Sequence, residues 1–262
     1  MNSVHRVLDP GKHELIFKGL CALAVMTKAP RAGRVKTRLT PPLSPEEAAT
    51  LNICFLRDTA AAIAQTANAG KARGIAVYTP LGAEAAYTGI LPDEFELVPQ
   101  RGEKFGERLA FATEDLLQLG FDSLCLIDSD SPTVPPQAFA AAVDLLSQTK
   151  DAVVLGPSDD GGYYLIGLNN VHRQLFEEIE WSTDRVLKQT IERARTIGLP
   201  VHLLPTGYDV DDRRTLRRLC QDLFGDNGNE SRSDDAPMTR QFLNDLMQRE
   251  GRDRIWPNES QP

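Results

Sequence analysis

Two groups of residues have the types and spacing needed to handle a phosphorylated substrate, and the first is a pair of aspartates. Asp128 and Asp130 directly follow the apolar run 124–127 and precede Pro132. Proline cannot donate to a β-ladder, so we expect a strand to end here. Where the backbone turns, carboxylates at positions i and i+2 can share one metal site. Such hard oxygen ligands suit Mg²⁺ or Mn²⁺ beside a diphosphate. The alternative is a strand end whose two acids are simply solvated.

The second group is a basic segment, residues 28–39, in an otherwise acidic chain. Gly33 permits a tight turn or a close approach of the backbone. Lys36, Thr37 and Arg38 offer a point charge, a hydroxyl and a planar fork, which are the groups that a diphosphate needs. The spacing is not that of a P-loop, and a solvated basic loop is the alternative. Five cations fall within eleven residues, namely Lys28, Arg31, Arg34, Lys36 and Arg38.

A third motif joins acids to paired glycines in the segment 158–164. Gly161 and Gly162 follow Asp160, and two glycines in this position allow the backbone to pass close to a ligand. Asp160, or its neighbour Asp159, would orient or deprotonate a hydroxyl of an acceptor. A plain hairpin turn is the alternative interpretation.

A fourth motif is the alternation of Asp209 and Asp211 about Val210. On an extended segment these two aspartates share a face, so they would reach a metal from a second direction. The alternative is a cluster of acids at the N-terminus of the helix that follows.

A weaker candidate is the segment after the third expected strand. Here Gln100, Gly102 and Arg108 would line a base or sugar pocket, or simply form loop structure. The four histidines have no metal-like spacing, and no serine or cysteine lies in a context that implies an activated nucleophile.

Composition narrows the classes of function. The chain has 262 residues, 41% of them hydrophobic, and a formal net charge of −8. That charge argues against a general binder of nucleic acid or of membrane surfaces. No stretch approaches the roughly 20 apolar residues of a membrane span, and the N-terminus has no signal-peptide pattern. The four cysteines form no CxxC pair, which favours reduced thiols and a cytoplasmic location.

Strand and helix patterns alternate along the chain, which predicts βαβ units and a mainly parallel sheet. Ligands bind beyond the carboxyl ends of strands in such sheets, so the basic segment and the Asp128–Asp130 pair are expected at the same edge. Changes in residue pattern along the chain predict four parts. They are a flexible leader at 1–19, a main domain at 20–222, a flexible linker at 223–236 and a C-terminal helix and tail at 237–262.

Together these motifs resemble a known family over roughly residues 20–222. They are similar to the bacterial glycosyltransferase-like family of selenodomain-associated transferases, which includes arsenosugar-biosynthesis glycosyltransferases. That family resembles the nucleotide-diphospho-sugar transferases of the GT-A fold, and also phospholactate and molybdenum-cofactor guanylyltransferases. The motifs are Lys-Ala-Pro-x-x-Gly-x-Val-Lys-Thr-Arg-Leu at 28–39, Asp-Ser-Asp-Ser-Pro at 128–132, Gly-Pro-x-x-Asp-Gly-Gly-Tyr-Tyr-Leu-Ile-Gly at 156–167, Trp-Ser-Thr at 181–183 and Asp-Val-Asp at 209–211.

The resemblance implies a three-layer α/β/α fold of the GT-A type, with a mainly parallel, mixed central sheet. It implies that the basic segment holds nucleotide phosphates and that Asp130 binds Mg²⁺ or Mn²⁺. We therefore expect Asp130, Asp160 and Lys36 to be catalytic. The metal ligands would be Asp128, Asp130, Asp209 and Asp211.

The implied reaction is glycosyl transfer from a nucleotide-diphosphate sugar to a small acceptor. One alternative is a nucleotidyltransferase that joins an NTP to a phosphorylated small molecule and releases pyrophosphate. The Gly-Gly-x-Ser-x-Arg-Met loop of many nucleotidyltransferases is replaced here by 27–30, Thr-Lys-Ala-Pro, which disfavours that alternative. The third hypothesis is a non-catalytic nucleotide-binding protein. Neither nucleic acid nor membrane is an expected partner, and a homo-oligomer is left open.

Overall fold

The computed structural model describes residues 5–12, 17–225 and 236–255. Within these ranges, strands and helices alternate as the sequence predicts. The strands are β1 (Cys21–Lys28), β2 (Ala72–Thr79), β3 (Glu96–Pro99), β4 (Ser123–Ile127), β5 (Val153–Pro157), β6 (Tyr163–Leu168) and β7 (Val201–Leu203). The helices are α1 (Pro45–Ala67), α2 (Phe105–Gln118), α3 (Pro136–Gln148), α4 (Val186–Thr196), α5 (Arg213–Phe224), α6 (Pro237–Glu250) and α7 (Arg252–Ile255).

The seven strands form one mixed sheet in the order β3-β2-β1-β4-β6-β5-β7. Strands β1, β2, β3 and β4 are parallel to one another, β6 runs antiparallel to both β4 and β5, and β7 is parallel to β5. Helices α1 and α3 pack on one face of the sheet, and α2 and α4 pack on the other. The expected three-layer α/β/α fold with a mainly parallel, mixed sheet is confirmed.

The apolar run of β1 reflects its position at the centre of the sheet. Cys21, Leu23 and Val25 contribute to the core on the α1 and α3 side, whereas Ala22 and Ala24 contribute to the core on the opposite side. A strand that is covered on both faces has no solvent side, so its sequence is continuously apolar rather than alternating. All four cysteines lie within the described ranges as buried, free thiols.

A third hydrophobic cluster joins the C-terminal helices to the segments that carry the site. Leu243 of α6 and Ile255 of α7 are buried in it, together with Phe55 of α1. The same cluster contains Leu39 from the basic segment and Val210 from the acidic segment after β7. The C-terminal helices therefore share a core with two of the segments that the sequence marked for chemistry.

Two helices differ from what the residue pattern predicts. The pattern at 82–90 predicts a short helix, but the structure has only a short 3₁₀ turn, Glu84–Tyr87. The pattern at 183–196 predicts a helix with Ser182 or Thr183 as its N-cap, but the helix begins at Val186 with Arg185 as its N-cap. The side chain of Thr183 instead donates to the carbonyl of Glu180 at 2.7 Å.

Part of the predicted flexible leader packs on the sheet. Val7 forms a parallel bridge with Leu97, and the backbone N–H of Leu8 donates to the carbonyl of Leu97 at 2.8 Å. The predicted linker 223–236 begins inside α5, since Leu223 and Phe224 are buried helical residues. Most of that linker, and the end of the predicted tail, lie outside the described residues. Within the described ranges, no helix is long and apolar enough to cross a membrane.

Candidate functional site

The carboxyl ends of β1, β4 and β5 meet at one edge of the sheet, because these strands run in the same direction. The basic segment leaves β1 at this edge, and the aspartates leave β4. The ammonium of Lys36 lies 2.9 Å from a carboxylate oxygen of Asp130. The two groups that the sequence placed at the same edge are thus in direct contact.

Asp128 and Asp130 have different surroundings although they are only two residues apart. Asp128 closes the turn after β4, where its carboxylate accepts the hydroxyl of Ser131 at 2.8 Å. Its backbone N–H donates to the carbonyl of Tyr164 at 2.9 Å, which anchors the turn to β6. Burial, and then the charge of Asp130, raises the pKa of Asp128 well above its ordinary value. Asp128 therefore shapes the loop, and Asp130 is the acid in contact with the basic segment.

Lys36 connects three segments that are far apart in the chain. Its Nζ donates to the carbonyl of Val210 at 2.9 Å and to Oδ1 of Asp211 at 2.8 Å, in addition to the contact with Asp130. Only 4% of its side chain is exposed. Burial opposes the charged form, yet the carboxylates of Asp130 and Asp211 raise the pKa of Lys36. The lysine is therefore a buried ammonium ion, paired with acids from two loops.

The segment after β7 runs beside the turn after β4. The backbone N–H of Val210 donates to the carbonyl of Asp130 at 2.9 Å, so the two acidic segments are tied together. Asp211 pairs with the guanidinium of Arg38 as well as with Lys36. Burial, followed by the charges of Asp160 and Asp211, raises the pKa of Asp209 to about 6. Asp209 therefore lies in a buried part of the site that is rich in acids.

The glycine-rich motif forms the tight connection between β5 and β6. Gly161 has a φ of +91°, and a Cβ at this position would lie 2.2 Å from the carbonyl oxygen of Asp184. The carbonyl of Gly161 accepts the N–H of Leu187, in the first turn of α4, at 2.8 Å. Asp160 accepts the N–H of Gly162 at 2.8 Å. Glycine is required here because the loop presses directly on the start of α4.

Two cavities open at this edge. We call the cavity of about 260 Å³ along the basic segment the basic pocket; its lining includes Lys28, Arg34, Lys36, Thr37 and Arg38. We call the cavity of about 480 Å³ beside it the acidic cleft. The described residues that line the acidic cleft include two arginines, Arg38 and Arg214, and seven aspartates, Asp128, Asp130, Asp160, Asp184, Asp209, Asp211 and Asp212. The cavities share a boundary of Arg38, Ser129, Asp130 and Asp211.

The remaining predicted residues have roles in supporting the loops. The ammonium of Lys28 donates to the carbonyl of Arg34 at 3.1 Å, which closes the basic loop. Gly33 has a φ of +71° in the turn of that loop, and Arg31 is exposed beside it. The amide of Gln100 donates to the carbonyls of Thr27 and Val77, so it caps the ends of β1 and β2.

Gly102 and Arg108 lie near the start of α2. Gly102 has a φ of +95°, and a Cβ there would lie 3.0 Å from the Cβ of Glu107. The guanidinium of Arg108 donates to the carbonyl of Glu103 at 3.1 Å. Both positions have structural partners, and a ligand-binding role for either one stays a prediction.

Two arginines of the site, and the pairing of Trp181 from the Trp-Ser-Thr motif with Phe105, were not predicted from the sequence. Arg214 of α5 lines the acidic cleft, although its only sequence signal was a place in an amphipathic helix. Phe105 and Trp181 pack edge to face at 4.9 Å between ring centroids and line the same cleft, where Phe105 is 50% exposed. Arg218 pairs with Asp159 and lies 3.8 Å over the ring of Tyr208. Asp159 is thus engaged elsewhere, and Asp160 is the acid of this loop that lines the cleft.

The aspartates of the acidic cleft are candidates for a divalent-cation site. Among the described residues, no group of three or more His, Cys, Asp or Glu side chains is arranged to hold a metal ion alone. Mg²⁺ is usually held by one or two carboxylates together with waters and phosphate oxygens. The donor set here consists of hard carboxylate oxygens, and burial, followed by the charges of neighbouring aspartates, raises the pKa values of Asp128 and Asp209. These residues therefore fit a metal whose coordination is completed by a ligand.

Comparison with known proteins supports a place in the superfamily of nucleotide-diphospho-sugar transferases. A model of the family DUF2064, uncharacterized proteins conserved in bacteria, matches residues 62–183. A crystal structure from Desulfovibrio desulfuricans G20, described as a candidate nucleotide-diphospho-sugar transferase, is 28% identical with a TM-score of 0.75. It covers 90% of this chain and 99% of its own. None of the curated proteins matches the chain in sequence.

Two further structures are more distant. CMP:2-keto-3-deoxy-manno-octonic acid synthetase complexed with CTP is 12% identical with a TM-score of 0.48, covering 76% of this chain and 96% of its own. Rv0371c from Mycobacterium tuberculosis H37Rv, complexed with manganese, is 20% identical with a TM-score of 0.45, covering 77% and 98%. Both are too dissimilar to support an inference about function.

Proposed function

We propose that the protein is a metal-dependent glycosyltransferase that uses a nucleotide-diphosphate sugar and a small acceptor. One observation carries the proposal: a basic pocket and an acidic cleft share the boundary that contains Asp130 and Asp211. An anionic donor fits the basic pocket, and an acceptor without negative charge fits the acidic cleft. The shared boundary would bring the two substrates together. The similar protein from Desulfovibrio desulfuricans G20 is described as a candidate nucleotide-diphospho-sugar transferase, which is consistent with such a donor. We extend the proposal to the subfamily, in which this protein would be a relative of the arsenosugar-biosynthesis glycosyltransferases.

The basic pocket is the compartment for the diphosphate of the donor. Arg34 and Arg38 offer planar guanidinium groups, which bind phosphate oxygens in pairs. Thr37 adds a hydroxyl in the same lining. The side chain of Arg38 is 72% exposed, so it is free to turn from Asp211 toward a ligand. These groups would hold the donor at the boundary with the acidic cleft.

The acidic cleft is the compartment for the acceptor, and its charge favours glycosyl transfer over nucleotidyl transfer. In nucleotidyl transfer the second substrate is itself a phosphate ester. The aspartates of the cleft that are not expected metal ligands, Asp160, Asp184 and Asp212, would repel it. A hydroxyl-bearing acceptor without negative charge meets no such penalty. Phe105 and Trp181 provide an aromatic wall in the same cleft, against which an apolar face of the acceptor would pack.

The metal would be held by Asp130, with Asp128, Asp209 or Asp211 beside it, and by phosphate oxygens. When bound, Mg²⁺ or Mn²⁺ would neutralise charge on the leaving diphosphate. Asp160 lines the acidic cleft and would orient the acceptor hydroxyl or accept its proton. The backbone N–H of Gly162 holds Asp160 in place.

The experiment is a comparison of the products formed from two kinds of donor. Purified full-length protein is incubated with Mn²⁺, simple polyol and amino-alcohol acceptors, and either a panel of nucleotide-diphosphate sugars or a panel of NTPs. We expect free nucleoside diphosphate from one of the sugars, and a loss of roughly 100-fold or more in Asp130→Asn. Asp144→Asn is the matched control, because Asp144 pairs with Lys71 on the surface of α3. Pyrophosphate release from an NTP and a phosphate ester, with no turnover of nucleotide sugars, would overturn the proposal.

A further inference from the structure

The ammonium of Lys36 is surrounded by protein oxygens. Three of them lie within 2.9 Å of Nζ: the carbonyl of Val210, Oδ1 of Asp211 and Oδ1 of Asp130. An ammonium has three N–H donors. Two of them bind the carbonyl of Val210 and Oδ1 of Asp211, and the carboxylate of Asp130 lies at ion-pair distance. The ring of Phe55 lies 5.6 Å from Nζ and adds an apolar wall. Lys36 lines the basic pocket, but only 4% of its side chain is exposed, so Nζ is largely shielded from a phosphate there.

The backbone of Lys36 also shows that this position is specialised. Its φ of 47° and ψ of 38° lie in the left-handed region, which is unfavourable for a residue with a side chain. The conformation ends the basic loop and directs the next residues, Thr37–Leu39, into a 3₁₀ turn. A residue held in this way is fixed by its surroundings, whereas Arg38 beside it is exposed.

We propose that Lys36 is the internal counter-ion of the acidic site, a positioning residue rather than a phosphate ligand. It joins the loop after β1 to the acidic segments after β4 and β7, and it holds Asp130 and Asp211 together when no metal is bound. Contact with the diphosphate then falls to Arg34 and Arg38. Lys36 also keeps the nucleotide-free site partly neutral, so a divalent cation binds well only when phosphate oxygens complete its coordination. The phosphate ligand is taken from the proposed function, but the counter-ion role does not depend on activity.

The first test measures thermal unfolding without nucleotide or metal. Lys36→Met removes the charge and keeps the stem, so it takes the buried ammonium away from two half-buried carboxylates, Asp130 and Asp211. We expect its Tm to fall by roughly 6 °C or more. Lys36→Arg should fall similarly, because a planar guanidinium does not fit three acceptors placed around a point charge. The double variant Lys36→Met with Asp211→Asn should recover part of the loss. Arg38→Met, an exposed cation of the same loop, is the matched control, with a shift of roughly 2 °C or less.

The second test is a readout that a loss of packing alone would not produce. Mn²⁺ binding is measured without nucleotide by the electron paramagnetic resonance signal of the free ion. We expect Lys36→Met to bind Mn²⁺ roughly tenfold more tightly than the wild type, because its carboxylates have lost their resident cation. Adding Asp211→Asn should remove this gain.

Any one of three results would overturn the counter-ion role. The first is a wild-type Tm in both Lys36→Met and Lys36→Arg. The second is a double variant that is no more stable than Lys36→Met. The third is Mn²⁺ binding in Lys36→Met that is unchanged or weaker. Both readouts are taken without donor or acceptor, so this inference can fail while the proposed glycosyl transfer stands, and the reverse also holds.

Discussion

The carboxylate of Asp58, in the middle of α1, accepts the backbone N–H of Thr239, in the first turn of α6, at 2.8 Å. Its other oxygen accepts the N–H of Met238 at 2.9 Å. The residue that precedes α6 is Ala236, which offers no side-chain cap. Asp58 therefore supplies, from a buried position on another helix, the cap that α6 lacks in its own sequence.

Asp58→Ala should release this end of α6. We expect the free energy of unfolding to fall by about 1–3 kcal/mol, the cost of a lost cap that leaves two buried N–H groups unpaired. Urea denaturation followed by circular dichroism measures the change. Asp144→Ala removes an exposed acid of α3 that pairs with Lys71, and it should cost less than about 1 kcal/mol. Equal losses in the two variants would show that Asp58 is not acting as a cap.

Glu47 links the start of α1 to α7 and should make stability depend on pH. It accepts the N–H of Ser44 at 2.8 Å and pairs with Arg254. Burial alone would raise its pKa, but the hydrogen bonds from Arg254 and Ser44 lower the pKa of Glu47 below its ordinary value. The folded state thus favours the carboxylate. Its contribution to stability is complete above the unfolded pKa of about 4.3 and is lost as the pH falls through the lower folded pKa.

Glu47→Gln is the variant that isolates this contribution. At pH 6 it should be less stable than the wild type by about 1 kcal/mol. The difference should shrink as the pH falls from about 5 to about 3, because the wild type loses its carboxylate over that interval. Urea midpoints at several pH values measure the gap. A gap that stays constant down to pH 3 would mean that the Glu47 carboxylate does not stabilise the fold.

The fold was predictable because its signals are local or follow from topology. The continuous apolar run of β1 indicated a strand covered on both faces, and Cys21–Lys28 is the central strand of the parallel part of the sheet. Asp130 was placed near the basic segment by one rule, that parallel strands end at the same edge. Neither inference required knowledge of any side-chain partner.

Partners that lie far apart in the chain were beyond such reasoning. The contact of Lys36 with Asp211 joins residues 175 positions apart, and the cap of Thr239 by Asp58 joins residues 181 positions apart. Sequence patterns report which residue types occur at a strand end, but the burial of one lysine among three oxygens depends on how several loops pack. Gln100 illustrates the same limit, since its amide binds strand carbonyls.

Gly161 and Gly198 provide a matched test of the loop that carries Asp160. Both have a positive φ, +91° and +74°, so alanine is strained at either position. A Cβ at Gly198 would meet nothing within 4 Å, whereas a Cβ at Gly161 would lie 2.2 Å from the carbonyl oxygen of Asp184. The two variants therefore differ mainly in this clash.

Gly198→Ala should cost about 1 kcal/mol of stability and leave turnover of the donor unchanged. Gly161→Ala should cost about 3 kcal/mol or more and should lower turnover by at least roughly tenfold, because the 158–162 loop must move away from α4. Thermal denaturation and the product assay measure the two effects. Similar behaviour in both variants would mean that the fit of this loop against Asp184 matters little for the position of Asp160.

Arg38 and Arg31 separate a direct phosphate contact from the general charge of the basic segment. Arg38 lines both cavities, while Arg31 is an exposed residue at the turn. Arg38→Met should weaken binding of inorganic pyrophosphate in the presence of Mg²⁺ by about 1.5–3 kcal/mol, the range for hydrogen bonds to charged groups. That is roughly 10- to 150-fold in Kd by isothermal titration calorimetry. Arg31→Met should change Kd by less than about threefold, and raising the salt concentration should reduce that small effect further. If both variants lost affinity equally and high salt abolished the loss, long-range attraction would explain the binding, and Arg38 would have no contact with the phosphate.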